Sequence, residues 1–401
     1  MSDVAPAAEK ESQGRLLVPA MVIGTMSVSV SITMLQLFLV DIGATFNVSV
    51  GVASQLATVN HAGEFFSALL MGVLAVRFRY KPLMLAGMLF VLFSAIGSFF
   101  APDFSTMQFF FVLEGIGTVM FGVMSFTLIG DVFAPQKRAK AVSYLMAALF
   151  AMALVSFPLS GFIANVAGWR FNFVLQMLPI SLAGLVLAFF IVPSKLHKQT
   201  AVVGKSSFVE SFRQVLTDKS ATACLVAKVL AAAASTRLIF SIAFYQERFF
   251  VSRDFTVVVS MATFAVFVVG SLVAGRLTNR FGAKPVTVTA ALLAAVFLMA
   301  FFFIPNLLAS LVFNFLTVWF ASIGVTSSTC LALAQVPKSR GTMMSLNSAV
   351  EALGTTIGPA VGGALLVLLP EFYGGVGLAL GGMLAASAVI LFFWAKDPTK
   401  T

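Results

Sequence analysis

Charge is what this sequence has least of. Only 10% of its 401 residues are Asp, Glu, Lys or Arg, where a soluble domain carries about 25%, so the chain cannot build a water-facing surface. Cysteine is equally scarce. Cys224 and Cys330 both sit inside apolar runs, which excludes a disulfide framework and a thiolate metal cluster. The only histidines are His61 and His197, and no D-D-x-x-D or H-E-x-x-H run occurs. A membrane-embedded enzyme, such as a lipid or isoprenoid transferase, would need a cluster of that kind. No G-x-x-x-x-G-K-[ST] pattern is present either, so ATP is not the expected energy source. The period-two alternation of a membrane β-barrel is missing. Met1–Gln13 is polar and lacks a cleavage-site pattern, so the first apolar run reads as a retained helix rather than a removed leader.

What is there is hydrocarbon. Sixty per cent of the residues are apolar and the mean hydropathy is +1.02. A bilayer-spanning helix needs about 20 apolar residues, and lipid-exposed backbone must be hydrogen-bonded within its own segment. On that scale the chain predicts an all-α integral membrane protein with twelve spans: 16–39, 52–76, 82–101, 105–130, 140–164 and 171–193, then 221–246, 255–277, 285–304, 307–334, 342–368 and 374–395. The expected divisions are a tail over 1–15, a six-helix half over 16–193, a polar loop over 194–220, a second half over 221–395 and a tail over 396–401. Numbering the connecting segments alternately puts 20 of the 25 Lys and Arg on one side. Cytoplasmic loops carry the Lys/Arg excess, so that side, with both termini, is expected in the cytoplasm. The net charge of +10 therefore belongs to membrane-flanking loops and does not point to nucleic acid.

The two halves echo each other. Gly72–Pro82 (GVLAVRFRYKP) recurs 203 positions later as Gly275–Pro285 (GRLTNRFGAKP). Pro135–Arg138 (PQKR) matches Pro337–Arg340 (PKSR) at an offset of 202, and Pro158 and Gly161 match Pro359 and Gly362 at 201. Echoes in one order at nearly one offset mean a duplicated unit of half the chain.

Two six-helix halves, a long central loop and a basic motif after spans 2 and 8 resemble the major facilitator superfamily over residues 15–395. That family's loop signature is G-x-L-a-D-R-x-G-R-K/R. The second copy keeps Gly275, Leu277, Arg280, Gly282 and Lys284, with Asn279 at the Asp position; the first has Val76 there and Arg79 at the later Gly. The resemblance implies a cytoplasmic gate at Gly72, Arg77, Lys81, Gly275, Asn279, Arg280 and Lys284, with its latch rewired because the acid is absent twice. Asp131–Ala141 is similar to the family's loop between helices 4 and 5, and Gly168–Phe173 to its start of helix 6. Gly354–Gly363 (GTTIGPAVGG) resembles the G-x-x-x-G-P-x-x-G-G signature of the antiporters, placed here in span 11 instead of span 5. Phe111–Gly117 (FVLEGIG) stands where those antiporters carry R-x-x-Q-G-x-G, with Phe111 at the arginine and Glu114 at the glutamine.

Ionisable residues inside the membrane are costly, at least about 2.5 kcal/mol each, and usually face a cavity or a partner. The spans hold His61, Glu64, Glu114, Lys228, Arg237 and Glu351. Helical spacing puts Asn60, His61, Glu64 and Ser67 on one stripe of span 2. Glu64 lies near mid-span and is the expected proton carrier, with His61 one turn away to exchange or share the proton; Glu114 and Glu351 are further proton-coupling candidates. A static polar pair bonding a neighbouring helix is the alternative. Glu114 and Thr118 share a face of span 4, beside Gly115 and Gly122, which let a neighbouring helix approach. On an unbroken span 7, Lys228 and Arg237 point to opposite sides, and Ala231–Ala234 offers no breaker. Arg237 then pairs with a glutamate, Glu114 being at similar depth, or holds an anionic group; Lys228 and Glu351 also share a depth. Asn60, Thr118, Arg237 and Gln36 are the expected substrate-cavity residues. Phe208–Leu216 reads as a short amphipathic helix on the membrane face.

These readings describe a secondary transporter working by alternating access, with protons as coupling ion and the proton gradient in place of any cofactor or metal. Export of a small amphipathic drug or metabolite comes first, from the overall resemblance; uptake of a small organic solute, anionic if held by Arg237, comes second. The expected partners are the solute, protons and the lipid bilayer, with no nucleic acid and no obligate protein partner. The expected location is the plasma membrane, the inner membrane in a bacterium.

Overall fold

A computed structural model describes residues 4–132, 135–192, 212–336 and 340–397, with some side chains inside those segments left undescribed. Every regular element among them is helical. In chain order they are α1 (Val4–Leu37), α2 (Leu39–Phe46), α3 (Val50–Ala53), α4 (Gln55–Arg77), α5 (Tyr80–Phe100), α6 (Phe104–Val132) and α7 (Pro135–Ala167). A π turn (Phe173–Met177) leads into α8 (Leu178–Ile191). After α9 (212–217) come α10 (Lys219–Ser235), α11 (Arg237–Phe249), α12 (Arg253–Phe281), α13 (Ala283–Phe301), α14 (Leu307–Gln335), α15 (Arg340–Leu368) and α16 (Tyr373–Trp394).

Nine stretches among the described residues are long and apolar enough to cross a bilayer, and ten if the bent pair Leu39–Phe46 with Val50–Met71 counts as one. The expected first and fifth spans fall on α1 and α7, whose side chains are described only in part. The expected amphipathic segment Phe208–Leu216 is helical from residue 212; residues 208–211 lie outside the described residues.

The chain divides into two compact units. Unit 1 comprises Met1–Phe38 and Val59–Thr200, and unit 2 comprises Leu39–Thr58 and Ala201–Thr401. Unit 1 packs a methionine-rich core, including Met21, Met71, Met84, Met88 and Met124, around Tyr80 and Phe121. Methionine is flexible and fills irregular gaps between helices. Small residues bring the helix backbones together: a Cβ on Gly87 would lie 2.7 Å from the Gly117 carbonyl oxygen, and one on Gly117 would lie 2.5 Å from that of Gly87.

Unit 2 uses the same device. On α15, Gly354, Gly358 and Gly362 lie against α10 and α11, and a Cβ on Gly358 would overlap the Ala233 carbonyl oxygen. The antiporter-like glycine run thus serves as a smooth seam for two helices. At one end of the unit, Phe244, Tyr245, Phe301, Phe302 and Tyr373 form an edge-to-face cluster, and the Tyr373 hydroxyl donates to Glu247 at 2.6 Å.

Residues 40–51 were expected as the connection between spans 1 and 2, and most of them are helical, in α2 (Leu39–Phe46) and the start of α3 (Val50–Ala53). Asn47, in the left-handed conformation at φ 53°, ends α2. Asp41 accepts from Arg253 at 2.6 Å, and Gln55 Nε2 reaches the Pro359 carbonyl at 3.5 Å. The duplicated basic loops also differ in backbone. Gly282 ends α12 at φ 92°, whereas Arg79, its counterpart before α5, sits at φ −69°. Only the copy that kept glycine uses the conformation that needs it.

Candidate functional site

In unit 1, α4 and α6 carry the ionisable groups. His61 Nδ1 and Glu64 Oε2 are 2.8 Å apart, one turn along α4, and both side chains are about a fifth exposed (17% and 20%). Glu114 of α6 is buried, accepts a hydrogen bond from Ser31 of α1, and is near enough to both His61 and Glu64 to interact with them electrostatically. Its second oxygen, Oε2, is buried without a partner among the described residues. The close crossing follows from composition. A Cβ on Gly63 would stand 2.7 Å from the Val112 carbonyl oxygen, and one on Gly115 would overlap that of Asn60. Asn60 Nδ2 donates to the Phe111 carbonyl at 3.0 Å, and Ser67 Oγ to that of Ile116 at 3.1 Å. Each satisfies an already bonded α6 carbonyl a second time, pinning α4 to α6.

Three of the expected proton-coupling residues, His61, Glu64 and Glu114, are therefore brought together in one unit. Thr118 donates to the Glu114 carbonyl of its own helix at 2.5 Å, and Gln36 is buried in α1. Gly115 acts as expected, but Gly122 has nothing within 4 Å of its would-be Cβ, so it makes no close approach among the described residues. Ser31 was not singled out from the sequence. A serine in an apolar run usually bonds its own helix, so its type carried no signal.

In unit 2 the expectation of an unbroken span 7 is overturned. Helix α10 stops at Ser235 and α11 starts at Arg237, with Thr236 between them. Ser235 Oγ and Thr236 Oγ1 both fold back onto α10, donating to the Ala232 and Ala233 carbonyls at 2.7 Å. Such back-bonding competes with the backbone ladder and bends a helix. The break falls at the Ser–Thr pair that follows the alanines. As a result, Lys228 and Arg237 line one cavity. Lys228 Nζ is 2.9 Å from Glu351 Oε1, so the depth match becomes an ion pair. Arg237 is buried and donates to Asn314 Oδ1 at 2.8 Å; Asn314 in turn reaches Thr263 Oγ1 at 3.4 Å. Within unit 2 the partner described for Arg237 is an amide, that of Asn314, a second residue the sequence did not single out.

The cavity has a volume of about 80 Å³ and is walled by Ala227, Ala231, Ala291, Leu298 and Val325, with Asn347 and Thr317 as polar lining.

Of the expected gate residues, the side chains of Gly72 and Arg77 lie outside those described. Lys81 sits 5.1 Å from the Phe189 ring centre, and Arg280 lies 5.2 Å from that of Phe281. Asn279 and Arg280 are exposed, and a Cβ on Gly275 would meet nothing within 4 Å. Lys284 has its ammonium 5.8 Å from the Phe392 ring centre and its backbone N–H on Asp397 Oδ2 at 3.1 Å. The acid beside the second basic loop thus comes from the chain's end.

The sequence profile of the Major Facilitator Superfamily matches residues 21–270 and 228–401. Over 328 residues the chain is 25% identical to the MFS-type transporter YceJ of Bacillus subtilis (strain 168), covering 80% of this chain and 81% of that one. It is 24% identical to Multidrug resistance protein 2 of the same organism, covering 79% and 78%. Its fold is similar to a bacterial homologue of the human lysosomal transporter Spinster in an inward-facing, unoccupied conformation, with TM-score 0.76, 16% identity and coverage of 96% and 95%. It is also similar to a D-xylose–proton symporter, with TM-score 0.77, 15% identity and coverage of 97% and 98%. An all-helical, multi-pass membrane architecture, a duplicated basic loop and a profile match spanning both halves lead to one assignment: this chain belongs to the Major Facilitator Superfamily, a family of transporters and not of enzymes.

Proposed function

We propose that this transporter exports a small amphipathic drug or metabolite in exchange for protons. The observation that carries the proton is the grouping of His61, Glu64 and Glu114 where α4 crosses α6. Two carboxyls and an imidazole within mutual electrostatic reach can pass a proton among themselves and share the change in charge. Glu64 is the carrier in this reading: it is partly exposed and hydrogen-bonded to His61 at 2.8 Å. Glu114 has no exposed route of its own and tunes its neighbours. Export rests on the similarity to Multidrug resistance protein 2.

In this reading twelve helices cross the plasma membrane, the inner membrane in a bacterium, with both termini in the cytoplasm, as the Lys/Arg distribution requires. No cofactor takes part; the proton gradient supplies the energy. Reconstitution tests it. Proteoliposomes loaded with a fluorescent amphipathic dye, given an imposed pH gradient, should move the dye against its concentration gradient and stop when a protonophore collapses the pH difference. Transport that ignores the pH difference would refute the coupling.

The second reading is uptake of an organic solute with a proton. It is favoured by the fold similarity to the D-xylose–proton symporter. The same vesicles distinguish the two by the direction in which dye moves relative to protons.

A further inference from the structure

Lys228 of α10 and Arg237 of α11 line the cavity of unit 2, and its charges do not balance. Its ionisable lining includes two cations, Lys228 and Arg237, against one carboxylate, Glu351. Among the described residues of unit 2, Arg237 has an amide partner, Asn314, and no acid. In surroundings poor in water, a cation left with a neutral partner attracts any mobile anion of the right size. The ion pair is also lopsided. The Lys228 side chain is 9% exposed and that of Glu351 is 50% exposed. The lysine is buried, while its carboxylate is half exposed and less tightly enclosed.

We propose that this cavity is a carboxylate-binding subsite, in which the acidic head of the transported solute takes the place of Glu351 on Lys228, while Arg237, nine residues further along the lining, adds positive potential to the cavity. The proposal rests on the transporter reading above and narrows its substrate class to organic carboxylates with an apolar body. Glu351 is the internal stand-in for that head: it keeps Lys228 paired when no solute is bound. The volume suits a head group rather than a whole drug, since about 80 Å³ holds on the order of five to eight water-sized occupants. The alanine-rich wall accepts the first carbons of the tail.

The experiment is equilibrium binding to purified full-length protein in nanodiscs, without any pH gradient. The probes are acetate, benzoate and octanoate, each against its uncharged amide, with benzylamine as a cation control. At least one carboxylate should bind, and its amide should bind at least tenfold more weakly, about what losing one charge-assisted contact costs. Glu351→Gln should tighten carboxylate binding, because the internal competitor is gone. A merely structural ion pair would not produce that gain. Arg237→Gln should weaken binding by about tenfold through loss of the cavity's second positive charge. Should the arginine variant fail to fold, Lys228→Gln with Glu351→Gln removes the pair without leaving either charge alone, and should also weaken binding. Equal binding of acids and amides, no binding by any carboxylate, or Glu351→Gln binding no tighter than wild type would each overturn the proposal. These outcomes are separable from the transport reading: dye flux that follows the pH gradient in vesicles would survive loss of the carboxylate site, and carboxylate binding would survive a failure of proton coupling.

Discussion

Lys228 and Glu351 meet at 2.9 Å but are unequally buried, at 9% and 50% exposure, and that asymmetry sets what each substitution does. Removing the acid leaves a buried, unpaired ammonium. Breaking a fully buried pair this way costs about 3–5 kcal/mol, and the exposure of Glu351 reduces the figure through solvent screening. Removing the lysine leaves a carboxylate that water can still reach. Glu351→Gln should therefore lower the melting temperature of the purified protein more than Lys228→Gln, and the double variant should recover part of the loss. Equal losses, or a strictly additive double, would mean that the two do not interact. Sequence alone brought these two to a common depth and offered them as a pair, beside a pairing of Arg237 with Glu114. Depth is legible from helical rise, whereas azimuth depends on where a helix bends.

The break at Thr236 is an element-scale feature, and here the alanine run misled. Four alanines favour helix, but the hydroxyls of Ser235 and Thr236 turn back onto the Ala232 and Ala233 carbonyls and end α10. Glycine positions were half legible for a similar reason. Spacing finds a smooth stripe, but only packing tells which member is touched. A Cβ on Gly358 would overlap the Ala233 carbonyl oxygen, whereas one on Gly122 or Gly382 would meet open space. Gly358→Ala should thus destabilise by about 1–3 kcal/mol through overpacking, while Gly122→Ala should be neutral or stabilise by about 0.4–1 kcal/mol. Thermal unfolding of the two variants side by side checks this, and equal effects would contradict the packing at α10 and α15. The start of α6 offers a test outside the membrane. Asp103 caps it, accepting from Thr106 N at 2.8 Å and from the Thr106 hydroxyl at 3.0 Å. The Thr106 backbone bond, then its hydroxyl, holds the carboxyl below its ordinary value of 3.8. A group depressed on folding contributes stability that is fully present above the ordinary value and lost as pH falls through the lower, folded one. The difference in stability between wild type and Asp103→Asn should be constant at neutral pH and shrink only below about pH 4. A difference that persists unchanged into acid would rule out a charged cap.

At the scale of the whole molecule, the helical membrane class and the family were legible because both depend on composition and repetition. An apolar chain without β alternation must be helical, and the echo of Gly72–Pro82 in Gly275–Pro285 marks a duplication. What was not legible is where the chain passes from one compact unit to the other. Leu39–Thr58 groups with unit 2, held by Asp41 on Arg253 and by the contact of Gly51 with Gly363. Nothing in its composition announces partners two hundred or more positions away. The clustering of His61, Glu64 and Glu114 was visible only in part: the stripe on one helix follows from spacing, but the crossing that brings Glu114 to it depends on Gly63 and Gly115. That cluster carries the central claim, a proton carried on Glu64.

The most direct measurement is substrate flux in proteoliposomes with and without an imposed pH gradient, for wild type, Glu64→Gln and Glu64→Asp. A carrier must gain and lose its proton in each cycle, which a glutamine cannot do. Glu64→Gln should abolish uphill movement while keeping downhill exchange, and Glu64→Asp should keep some coupling with a shifted pH optimum. Glu64→Gln vesicles that still concentrate substrate against its gradient would contradict the claim and pass the proton to Glu114.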